Sequence, residues 1–190
     1  MAEHVGEVVL SSTTRLTAQC PDDDATPALG SFVAVDYGPG RALAVVAEVR
    51  SGSLDPGRRP VAYGLAEDEL FRQQPQLREL LSTEFEAILI GWAEDDGPPR
   101  QLLPPRPPRL HRFVSPAQPD DVRALTSGGD WLRTLLAAEV SDDLLAAAVR
   151  AALATRTDDP SARLEAGRAL ARLVGDDYER LQVLLRRVSR

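Results

Sequence analysis

The 190-residue sequence contains no lysine; all 22 of its basic residues are arginine. That excludes a phosphate-binding loop of the form G-x-x-x-x-G-K-S/T, a Schiff-base lysine and a lysine general base. The one cysteine, Cys20, excludes an intramolecular disulfide, and no charged-then-apolar leader opens the chain, so a cytoplasmic protein is expected. No apolar run approaches the ~18 residues that a membrane-spanning helix needs, and no membrane partner is expected. No nucleophile elbow, zinc motif, glycine-rich dinucleotide loop or calcium loop is present. The only histidines, His4 and His111, have no acidic or cysteine partner at metal-ligand spacing. If the first and last strands pair, the two imidazoles approach one another, yet two imidazoles alone make neither a triad nor a structural metal site. No catalytic residue, metal or cofactor is therefore expected, and the reading is of a protein that is not an enzyme.

What the chain does have is 43% hydrophobic and 27% charged residues, ordinary globular material that fits two small cores better than one large one. The formal net charge of -7 argues against a protein whose main business is coating nucleic acid, because such binding draws its affinity from neutralising phosphates. The acid excess lies in residues 1–115, with 11 Arg against 17 Asp and Glu; residues 116–190 carry 11 against 12.

Residues 29–51, LGSFVAVDYGPGRALAVVAEVRS, read as two strands joined at Gly38-Pro39-Gly40, and the first 115 residues are organised around that hairpin. Positions 32, 33, 35 and 37 are bulky while 31, 34 and 36 are small or polar, close to the alternation of a half-buried strand. Residues 41–49 are more continuously apolar, as for a strand covered on both faces. Residues 5–10 and 14–20 read as two further strands, and Asp22-Asp23-Asp24 as a solvated turn. A short strand is expected over 61–65, then a helical insertion near 66–82 that opens on Glu67-Asp68-Glu69 and is interrupted by Pro75. Residues 84–93, EFEAILIGWA, form the next strand, with Phe85, Ala87, Leu89 and Gly91 on one face and Ile88, Ile90 and Trp92 on the other. Glu94-Asp95-Asp96 reads as a solvated turn, and residues 110–114 as a closing strand. About six short strands at this spacing imply a closed β-barrel, which removes exposed edges.

From Pro119 the composition turns to Ala, Leu, Arg and Asp with helical periodicity. The fold class is thus α+β, an N-terminal antiparallel barrel over 1–116 followed by a small all-α domain over 117–190. A short helix at Asp120-Asp121 is followed by four longer ones. The first of these presents Trp131, Leu132, Leu135 and Leu136, and the second is capped by Ser141 and buried on most sides. The third has Asp159 as cap and Pro160 at its first position, and ends at Gly175. The fourth opens on Asp176 with Glu179 three residues later and carries an apolar stripe of Tyr178, Leu181, Leu185 and Val188. Few contacts are expected across the proline-marked boundary, so a chain ending near Pro116 should fold alone.

One charged stretch is a candidate binding feature. Residues 100–112, RQLLPPRPPRLHR, carry Arg100, Arg106, Arg109 and Arg112 and no acid. Guanidinium forks on an extended, proline-stiffened segment match either phosphates or a partner's carboxylates. The plainer alternative is a connector that wraps the barrel, its arginines paired with acids of the same domain. An alternative function follows from the first option, single-stranded nucleic-acid binding by the barrel and this segment. That function needs exposed stacking rings, and aromatics are 5% of the chain. Phe32, Phe85, Trp92 and Trp131 sit in core-like contexts, leaving Tyr37, Tyr63 and Phe113.

The order and content of the strands resemble the HAS barrel, the domain shared by HerA-type DNA-translocating ATPases and related to the N-terminal barrels of the rotary ATP synthase α and β subunits. The resemblance covers about residues 4–115 and rests on Gly6-Glu7-Val8-Val9, residues 29–35, 44–49 and 85–91, and the proline run leading to Arg112-Phe113-Val114. It implies a barrel that does no catalysis and provides subunit and partner contacts on a ring ATPase. Where the ATPase core follows in that family, this chain has some 70 helical residues and no phosphate-binding loop, so ATP binding and translocation are not carried over. The expectation is a non-enzymatic assembly or partner-binding protein, self-assembling or docked on another protein, accessory to a DNA-processing or ATPase complex.

Overall fold

A computed structural model describes residues 4–21, 26–38, 40–55, 57, 60–95 and 97–189. The turn read at Asp22-Asp23-Asp24 lies outside the described residues, as do Pro39 and Asp96. Six strands, β1 (Gly6–Ser11), β2 (Arg15–Gln19), β3 (Phe32–Asp36), β4 (Gly40–Ser53), β5 (Leu81–Glu94) and β6 (Phe113–Pro116), close into a barrel in the order β1-β2-β5-β4-β3-β6. Every neighbouring pair is antiparallel. The architecture is therefore α+β, a closed six-stranded antiparallel barrel followed by helices.

The longest pairing is not the hairpin of β3 and β4 but that of β4 with β5, continuous from Gly40 opposite Glu94 to Ser53 opposite Leu81. Between the ends of that ribbon lies the insertion, with α1 (Glu67–Gln73) and α2 (Leu77–Leu80). The short strand expected over 61–65 does not form. With β4 and β5 already paired along their whole length, the residues between them stand outside the ladder, and 61–65 are exposed without strand structure. The closing strand begins at Phe113 rather than Leu110, because His111 takes a left-handed backbone, φ 63°, that a strand does not accommodate.

Alternation along the strands separates two apolar clusters. Val8, Leu16, Ala18, Val33, Val35, Ala44, Phe85, Ala87 and Leu89 fill the barrel. Phe32, Leu43, Val45, Ile88 and Ile90 point outward from β3, β4 and β5 into a second cluster beneath the helices. The expected faces of β5 hold up to Ile90 and then exchange. Leu43 pairs with Gly91 and Ala44 with Leu89, so Ile90 is the extra residue of a bulge, and a bulge shifts the two-residue period by one. Gly91 consequently faces outward, where a Cβ would sit 2.4 Å from Leu125 Cδ1 and 2.6 Å from the Arg100 carbonyl oxygen. Trp92 turns inward and packs against the barrel cluster.

The helical layer comprises α3 (Pro119–Leu125), α4 (Asp130–Ala137), α5 (Asp142–Ala154), α6 (Ala162–Val174) and α7 (Tyr178–Val188). Ser141 caps α5 as expected, accepting the Leu144 N–H at 3.2 Å. The starts of α6 and α7 lie later than expected. Asp159 accepts the Ser161 N–H at 2.9 Å in a turn ahead of α6, and Asp177, not Asp176, caps α7 by accepting the Arg180 N–H at 3.0 Å. On α7 the fully buried residue is Leu184, with Leu181 and Val188 partly buried beside it; Tyr178 is 69% exposed and Leu185 37%.

The contacts across residues 116–119, expected to be few, form a continuous core. Trp131 packs against Phe32 with ring centroids 5.7 Å apart and the rings tilted by 57°, and Leu125, Leu132, Leu135 and Leu145 share one cluster with the outer side chains of β3, β4 and β5. Gly30, at φ 79°, admits the backbone of α5, since a Cβ there would lie 2.7 Å from Ala148 N. A half-buried ion pair, Arg41 with Asp121, ties β4 to α3; Arg41 Nε donates to Asp121 Oδ2 at 2.5 Å.

Candidate functional site

The arginine segment follows the barrel from the end of β5 to the start of β6, held by its own backbone and by side chains beneath it. Arg100 exchanges two backbone hydrogen bonds with Trp92, at 2.8 and 3.2 Å. Gln101 donates to the Leu125 carbonyl oxygen at 2.6 Å, and the Ser11 hydroxyl donates to the Pro108 carbonyl oxygen at 2.6 Å. Of the four guanidinium groups, two are engaged with carboxylates of the barrel. Arg112 donates to Asp36 at 2.6 Å, and Arg100 lies over the Trp92 ring, 5.8 Å from its centroid, with the Glu94 carboxylate 4.0 Å away. Arg106 offers its backbone N–H to the Tyr37 hydroxyl at 2.7 Å while its side chain is exposed. Neither Arg106 nor Arg109 forms an ion pair with a described residue. The four therefore split into a structural pair and an uncommitted pair, rather than converging on one anion.

Of the three rings considered as stacking platforms, Tyr37 is half-buried, with its centroid 5.9 Å from that of Trp92. Tyr63 is exposed on the insertion. Phe113 is exposed on β6 and stacks on His4 at 4.4 Å.

The pairing of β1 with β6 brings both histidines to one cleft of about 330 Å³, lined also by Glu7, Gln19 and Phe113. His111 Nδ1 and Glu7 Oε1 are 2.7 Å apart. This partner lies 104 residues from His111, so local spacing could not find it; the signal was the expected closure of the barrel between its first and last strands. Among the described residues no three His, Cys, Asp or Glu side chains are grouped to hold a metal ion.

Helices cover the β3–β4–β5 side of the barrel, and among the described residues no helix lies on the β6–β1 side, where Val9, Leu10, Leu110 and Phe113 are exposed. A second apolar surface lies on the insertion: Leu54, Val61, Tyr63, Leu65, Leu80 and Leu81 are all exposed, and α1 buries none of its residues. Glu67, Asp68 and Glu69 occupy the first turn of α1 and form no ion pair with a described residue. No helix among the described residues is long and apolar enough to cross a membrane. Compared with known families and curated proteins, the chain matches no family model and no curated sequence.

Proposed function

We propose that this chain is a non-enzymatic assembly or partner-binding protein built on a HAS-type barrel, accessory to a DNA-processing or ATPase complex. The observation that carries the reading is the insertion. Ser53 and Leu81 are directly paired, so a two-residue turn would join β4 to β5, yet the chain spends residues 54–80 there and leaves Leu54, Val61, Tyr63, Leu65 and Leu80 exposed. Exposed apolar side chains concentrated on one segment favour association, and their retention outside the core is accounted for by a protein that covers them. Single-stranded nucleic-acid binding draws support from the uncommitted Arg106 and Arg109. It is the weaker reading, because Arg100 and Arg112 are already paired and Tyr37 is half-buried.

The test replaces residues 54–80 by Asn-Gly. The shortened chain should keep its β-rich circular dichroism and cooperative melting, and lose whatever protein the full-length tagged chain recovers from its own lysate, or lose its own self-association. Retention of the same partner and the same mass state would overturn the reading. Tight binding of single-stranded DNA at physiological salt would favour the nucleic-acid alternative.

A further inference from the structure

We infer that the insertion of one copy docks on the β6–β1 wall of a second copy, making a head-to-tail contact; this deepens the assembly reading and rests on it. The wall offers Leu10, Leu110 and Phe113 as exposed apolar contacts, and Phe113 lines a cleft of about 330 Å³, a volume within the range that takes a single large side chain or small ligand. Arg109 immediately precedes Leu110, and the hydrogen bond from Ser11 to the Pro108 carbonyl holds that stretch against β1. Its guanidinium, like that of Arg106, is uncommitted among the described residues, whereas Glu7, the acid among the described residues that line the cleft, is taken by His111.

The insertion carries the complement. Val61, Tyr63 and Leu65 are exposed, and Glu67, Asp68 and Glu69 follow at once. Every residue from 61 to 69 is exposed, so this segment is not folded onto its own barrel. Apolar contacts flanked by Arg106 and Arg109 on the wall and by the three carboxylates of segment 61–69 on the insertion match each other, while a contact of segment 61–69 with its own copy would oppose like charges. The match therefore calls for a heterologous contact, which closes into a ring or extends as a filament according to its rotation. Leu10 and Leu110 offer no face for a base to stack on, and the Phe113 ring is packed against His4 with centroids 4.4 Å apart, which favours a protein over a nucleic acid as occupant.

The experiment measures mass by light scattering and sedimentation across a wide concentration range, for the full chain and three variants. These are Arg106→Glu with Arg109→Glu, then Glu67→Arg with Asp68→Arg and Glu69→Arg, and finally all five changes in one chain. The unaltered chain should exceed one subunit in mass as concentration rises. Each reversal should weaken association about tenfold or more, and the five-fold variant, whose charges are again complementary, should recover it. Unchanged circular dichroism establishes that the variants fold; should one not fold, Leu65→Ser and Leu110→Ser probe the same contact through its apolar part. A single-subunit mass at every concentration overturns the inference, as does association that ignores both reversals or is not recovered in the five-fold variant. If the monomeric chain still captures another protein through residues 54–80, the self-docking inference fails and the broader assembly reading stands; if it captures none, both fail.

Discussion

Arg156, in the turn after α5, donates to Asp159 at 2.6 Å and to Glu165 at 2.9 Å, so one guanidinium joins the end of α5 to the first turn of α6. Glu165 and then Asp159 hold the arginine charged more firmly than usual. Asp159 is correspondingly lowered from the ordinary carboxylate value of 3.8, first by the Ser161 hydroxyl, which donates to it at 2.7 Å, and then by Arg156 and the Ser161 N–H. A carboxylate whose folded value is depressed contributes its stability in full above the unfolded value and loses it as pH falls through the folded one. Asp159→Asn should therefore lower the thermal midpoint modestly at neutral pH, and the gap from the unaltered protein should close as pH drops below 3.8. Thermal melts across that range check this, and a gap that persists at low pH would assign the effect to turn geometry rather than charge. Gly91 is a residue whose identity the packing dictates, because Leu125 and the Arg100 carbonyl occupy the space of a side chain.

α7 is the element on which periodicity and packing part company. Leu184 and Leu185 are adjacent, and a stripe at intervals of three and four runs through either one. Only the position of α5 decides that Leu184 is enclosed, with Leu181 and Val188 partly buried beside it. Three ion pairs or hydrogen bonds fix that orientation: Arg180 to Asp142 at 2.8 Å, Arg187 to Asp143 at 3.2 Å, and Arg150 to the Arg187 carbonyl oxygen at 2.6 Å. Leu184→Ala should cost about 2–5 kcal/mol in denaturant unfolding, whereas Tyr178→Ala should stay within about 0.5 kcal/mol. A stop after Gly175 should leave α5 uncovered, with lost near-ultraviolet signal and ANS binding. Equal costs for the two substitutions would contradict the observed face of the helix. The same limit explains β5. Its period was legible in residues 85–90, since alternation is local, but the bulge at Ile90 answers to Leu43 and Ala44 across the sheet, which no reading of β5 alone contains. His111 and Glu7 were beyond local reading for the same reason, while Ser141, whose partner Leu144 is three residues away, was found directly.

At the scale of the molecule, the barrel and the helices are two layers on a shared apolar interface. Composition announces the change near Pro119, but it says nothing of which barrel face the helices cover; that depends on the outward side chains of three strands brought together by closure. Phe32, Leu43, Val45, Ile88 and Ile90 are all buried in the full chain, at the expense of water on the outer wall rather than within the barrel. Returning them to water would forfeit up to about 8–15 kcal/mol at ~1.5–3 kcal/mol each, comparable to the entire stability of about 5–15 kcal/mol typical of a domain. A fragment of residues 1–116 should therefore aggregate or bind ANS despite keeping its ladder of β-sheet hydrogen bonds, and residues 117–190 supplied in trans should restore a soluble complex. Polar replacement on the wall, Leu43→Thr with Val45→Thr, Ile88→Thr and Ile90→Thr, should raise the solubility of the isolated fragment while destabilising the full chain. The barrel interior, built from Val8, Leu16, Val33, Phe85 and Leu89, is untouched by those changes, so any residual cooperative melting of the fragment reports that inner cluster alone. A fragment that is soluble, monomeric and cooperatively folded without any of these aids would mean that the outer wall tolerates water and that the two layers are independent domains.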